Sequence, residues 1–181
     1  MWDPPAGHPL RRMFAGLTEH AFVTKLGVAD PNLVDYLSTL LSRFVHTDDV
    51  YRLRGGNGEP LRNLIGMVVE AEELPSGGRT RREYYRHIGD FTLFWTGVYP
   101  EAVNTARRRG EPDSVLNFTA QGKRAYRIAG EFVDDRFAEE APVLRRLSDE
   151  FELCAVGLRE VRYEWEEMQQ HPGSEPGGLI R

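Results

Sequence analysis

From Pro142 onward, one row of apolar side chains runs almost to the end of the chain: Leu144, Leu147, Phe151, Cys154, Leu158, Val161, Trp165 and Met168. The steps alternate three and four without a break, and the residues between are largely Glu, Arg and Asp. A 3.5-residue period is the seam along which helices of bundles and coiled coils pack. The spacing predicts one unbroken helix over 142–168, on the order of 40 Å long at 1.5 Å per residue. A stripe of that length needs cover along its whole extent. Either the chain's other helices supply it or a second copy does, and a helix of about 27 residues is ordinary for a bundle.

The rest of the chain carries helical signals too. Thr18 is a candidate cap for a short helix, "EHAFVTKL", that stops at Gly27. Asp30 followed by Pro31 is an N-cap and first-turn signature. Leu33, Leu37, Leu40, Leu41 and Phe44 then share a face. "RGGNGEP" reads as a turn between short extended pieces, and Pro60 as the start of the next helix. A fourth helix is expected from Thr80 towards Pro100, and a short one after Pro100 that ends near "RRRG". Ser114 is a candidate cap for a helix on which Phe118, Gly122, Ala125 and Ala129 share a face, letting a neighbouring backbone approach closely. The expected fold is all-α, a single-domain irregular bundle of six to seven helices with a long C-terminal helix as its spine. Residues 1–15, rich in Pro and Gly, are expected as an irregular arm, 16–169 as the bundle, and 170–181 as a flexible tail.

Composition narrows the function classes. A chain of 181 residues suffices for one domain with a proper core. Its 40% hydrophobic and 28% charged content is that of a globular protein rather than a disordered one. The formal charge of −5 gives no general attraction to nucleic acid or to anionic membranes. A lone cysteine, Cys154, excludes an intrachain disulfide and a cysteine-based metal cage. The N-terminal sequence lacks the apolar core of a secretory signal, and no run approaches the ~18–20 apolar residues of a membrane span. A reducing cytoplasm is the expected setting.

The fourth helix holds the sharpest candidate site. Tyr84, Ile88, Phe91, Trp95 and Val98 form its apolar stripe, and Glu83, His87, Asp90 and Phe94 form an adjoining line. Imidazole and carboxylate on one helix face suit a metal or an acid–base step. They equally suit a Glu83–Arg86–Asp90 ladder along a solvated edge, with His87 as a boundary residue packed on Phe91. After Asp90 the sequence "FTLFW" is apolar nearly all round, so a carboxylate there needs a partner: an Arg, backbone amides or an ion. The candidate ligand-binding set is therefore Tyr84, His87, Asp90, Phe94 and Trp95.

A second His-x-x-Asp, His46 with Asp49, would be needed for a two-helix metal site, though His46 at a helix C-terminus is favourable without one. Arg79, Arg82 and Arg86 around a helix start are candidate anion ligands, against which stands a merely solvated helix end. No histidine follows a Glu by three residues as di-iron bundles require, and no zincin, hydrolase-elbow, P-loop or dinucleotide pattern occurs. No metal ligands are assigned, and no motif names a cofactor.

Two functional readings follow. The first is a non-catalytic helical module acting through protein contacts, above all with itself. The second is a small-molecule or metal-binding protein, an enzyme included, with a pocket near His87, Asp90 and Trp95.

Overall fold

The computed structural model describes residue 5, residues 7–132 and residues 134–170. The fold is all-α, with nine α-helices and no β-strand among the described residues. In chain order these are α1 (Pro9–Glu19), α2 (Pro31–Phe44), the single turn α3 (Thr47–Val50), α4 (Leu64–Glu73), α5 (Arg79–Val98), α6 (Pro100–Arg108), α7 (Phe118–Gly130), α8 (Ala141–Asp149) and α9 (Phe151–Gln170). α5 is central, packed against α2, α4, α6, α7 and α9, while α8 lies on α7, and α1 lies on α2 and α9. One buried cluster draws side chains from every helix except α6.

Several elements begin where the sequence signals place them. Asp30 caps α2 by accepting from the amides of Asn32 and Leu33 at 3.0 and 3.2 Å. α5 spans the expected stretch, and α6 starts at Pro100. Around "RGGNGEP" the chain makes one isolated antiparallel bridge, Arg54 to Pro60.

Other expectations need correction. Within the expected N-terminal arm, residues 9–15 are helical: His8 accepts from the Leu10 amide at 3.2 Å and Pro9 occupies the first turn. A proline there presets the helical φ and lacks only an amide that would be unsatisfied anyway, so its presence starts a helix rather than preventing one. Thr18 is thus a buried interior residue, not a cap, and the helix runs into a π-helical turn, His20–Lys25, that ends at Gly27 with φ 69. Asn63 rather than Pro60 starts α4, accepting from the Gly66 amide at 2.8 Å. Asn117 rather than Ser114 caps α7, accepting from the Ala120 amide at 2.9 Å. The tail expected over 170–181 lies outside the described residues beyond Gln170.

The C-terminal rod is not continuous. α8 stops at Asp149, Glu150 adopts φ −109 and ψ 29, and α9 resumes at Phe151. A straight α-helix drifts by roughly 20° per heptad against a strict 3.5-residue stripe, so a stripe of this length must either supercoil or turn. Here it turns. The first half follows α7 and the second follows α5 and α1. Leu144, Leu147, Phe151, Cys154, Leu158 and Val161 are all buried, so the chain's own helices cover the seam. The break, together with the single turn α3, raises the helix number to nine.

Helices approach closely where glycine allows it. A side chain at Gly122 would strike Phe151 and Thr92, one at Gly157 would strike Phe22, and a Cβ on Gly89 would lie 2.6 Å from the Tyr126 ring. The small-residue face of α7 thereby serves the purpose its spacing suggests, with Tyr126 pressed onto α5.

Candidate functional site

The contact of Tyr126 with Gly89 carries its hydroxyl to the next residue, Asp90. Tyr126 donates to Asp90 Oδ1 at 2.9 Å, and Tyr36 from α2 donates to the same oxygen at 2.7 Å. Arg43, one α2 turn pair further on, donates to Oδ2 at 3.0 Å. Asp90 and Arg43 are both buried, so this is an interior ion pair with two tyrosines closing the carboxylate's remaining valences. Burial alone would raise the Asp90 carboxyl, yet Arg43, Arg86 and the Tyr36 hydrogen bond outweigh it and hold it below the usual carboxylate range. The partner that sequence reasoning required for Asp90 is an arginine.

His87 is equally enclosed. Its Nε2 lies 2.8 Å from the Val50 carbonyl, and its Nδ1 accepts from Arg52 Nε at 3.0 Å. A guanidinium donor at Nδ1 fixes the neutral tautomer, with the ring proton on Nε2 donated to Val50. Burial, reinforced by the Arg52 charge, pushes the imidazole down to about 3. The ring packs against Phe44, with centroids 5.6 Å apart. The expected solvated edge is therefore interior. The line turns inward because α2 and α7 lie on that side of α5, with α2 supplying the guanidinium and a phenol that a sequence wheel of α5 alone does not contain.

Further along α5, Arg82 pairs with Glu83 at 2.7 Å and with Glu140 at 2.5 Å, and lies 3.9 Å above the Phe137 ring. Arg86 joins Glu83 at 3.2 Å and Glu140 at 3.1 Å. Carboxylates already occupy the positions that a bound anion would take on these two arginines. Arg79 is exposed at the helix start and stands apart from them.

Neither of the two cavities described here gathers the five candidate ligand residues. Tyr84 donates outward to the Arg54 carbonyl at 2.6 Å. Trp95 stacks among Phe91, Phe94 and Tyr99, with its indole N–H lacking a hydrogen-bond partner among the described residues. Phe94 borders a cavity of about 30 Å³ with Phe14, Leu41 and Trp165, space for about one water. Tyr84, His87, Asp90 and Trp95 line neither this cavity nor the larger groove described below. Among the described residues no group of three or more His, Cys, Asp or Glu side chains gathers as a metal centre. His46 is exposed, and Asp49 is buried beside it in α3. Cys154 lies in the core, where burial pushes its thiol up to about 12, far from a nucleophile's range.

Two features escaped the sequence reading. A groove of about 330 Å³ opens between the end of α5, α6 and the start of α7. The other is a second apolar-and-acidic row on α9, Leu153, Val156, Glu160, Tyr163 and Glu167, also spaced three and four. Leu153, Val156 and Tyr163 are 36, 44 and 50% exposed, whereas the parallel seam is buried as far as Val161 and half-buried at Trp165 and Met168. The signal was present in the spacing, but two of its five members are glutamates, so an apolar periodicity search passes over it. No helix of the described residues is long and apolar enough to cross a membrane.

No protein-family model, curated protein or solved structure matches the chain.

Proposed function

We propose that the chain is a non-catalytic helical module that acts by pairing with a second copy of itself through the outer face of α9. The inner seam, from which self-association is first inferred, is occupied by α1, α5, α7 and the rest of the bundle, so the contact moves to the opposite face. The observation that carries the reading is how the charges beside that face are arranged. The chain has two lysines, Lys25 and Lys123. Lys25 pairs with Glu160, within the stripe, at 3.2 Å and with Glu164, beside it, at 2.7 Å. Lys123 pairs with Glu152 at 3.0 Å on the opposite flank. An acidic face meeting its own copy would repel itself. Here three acids on or beside the row, Glu152, Glu160 and Glu164, are already paired with lysine. Glu167 is thus the row's one acid without an ion pair among the described residues, and repulsion between two copies across a two-fold axis is reduced. A basic partner would find those acids already engaged.

The interior polar groups fit a structural role. Both nitrogens of His87 and both oxygens of Asp90 have protein partners, as groups that hold helices together do. The buried, weakly acidic thiol is at home in a reducing cytoplasm, which we propose as the setting. Three half-exposed apolar side chains per copy are a small core beside the ~800 Å² per partner of a standard interface, so a micromolar dimer is expected. Sedimentation equilibrium across the micromolar range tests this. A monomer–dimer equilibrium that Val156→Glu abolishes without lowering the unfolding midpoint is the expected result. A wild-type chain that stays monomeric into the hundreds of micromolar overturns it.

A further inference from the structure

We draw no further inference here: the strongest candidate, the groove between the end of α5, α6 and the start of α7, is an open surface crease whose lining balances one acid, Asp113, against one base, Arg107, and nothing in the structure points to a ligand in it.

Discussion

At Asp90, one carboxylate of α5 is shared among side chains from two other helices, α2 and α7, so it reports on packing that no single helix encodes. Removing Arg43 leaves the carboxylate buried with only phenolic donors, and breaking a buried pair on one side costs about 3–5 kcal/mol. Replacing both partners by leucine removes the uncompensated charge. Urea unfolding of Arg43→Leu, Asp90→Leu and the double variant should therefore give a double-variant loss well below the sum of the singles, and strict additivity would show that the pair is not coupled. His87 makes a separate, pH-dependent case. Its folded ring resists protonation down to about 3, whereas an unfolded histidine binds its proton near pH 6.5. Between these values the unfolded chain holds more protons, so the ring's contribution is complete above pH 6.5 and is lost as pH falls towards 3. Lowering the pH from 7 to 5 should cost roughly 2 kcal/mol from this group, at about 1.4 kcal/mol per unit. His87→Gln should lack that share of the slope; an identical slope in the variant would rule out the ring as its source. Asp90, held low, adds nothing in that window, because its contribution fades only below the unfolded carboxyl value near 3.9. The need for a partner at Asp90 was legible, since "FTLFW" after it announces an interior. Arg43 as that partner was not, because a basic residue in the last turn of α2 is sufficiently explained by the helix dipole.

At the scale of elements, local signals set the starts of helices and tertiary packing set their interruptions. Asp30–Pro31 and Pro100 act through a few bonds of backbone, and both were readable. The π-turn at His20–Lys25 and the break at Glu150 are not, because each answers to where neighbouring helices lie. The glycines let this be measured. Gly16 lies inside α1 with nothing within 4 Å of a would-be Cβ, so Gly16→Ala removes only backbone freedom and should stabilise by about 0.5–1 kcal/mol. Gly157 lies inside α9 with the Phe22 ring in the space a methyl would take. Gly157→Ala forces the π-turn away from α9, and overpacking of this kind costs about 1–3 kcal/mol despite the better helix propensity. Thermal unfolding of the two variants should move in opposite directions. A rise in both would mean that the π-turn yields freely and that its contact with α9 is not a fixed part of the fold.

At the scale of the molecule, α9 has two stripes of the same period, one facing the bundle and one facing out, and only charge separates their roles. The inner stripe has no acid among its six members on α9; the outer one alternates apolar residues with Glu160 and Glu167. If the outer row meets its copy, the two lysines matter as charge cancellers rather than as stabilisers, since exposed pairs contribute only about 0–1 kcal/mol to folding. Lys25→Gln with Lys123→Gln should therefore leave the unfolding midpoint nearly unchanged while exposing the acids beside the stripe. In low salt the acids of two copies then repel, and dimerisation should weaken by about tenfold or more. Raising the ionic strength towards 1 M shortens the screening length to about 3 Å and should restore most of the wild-type association. Val156→Glu, by contrast, removes apolar contact as well as adding charge, so salt should rescue it only in part. Sedimentation equilibrium of the three proteins at two ionic strengths separates the cases. Dimerisation of the lysine double variant that equals wild type in low salt would mean that the flanking acids do not face each other, and the α9 face would then have to meet a partner of different charge.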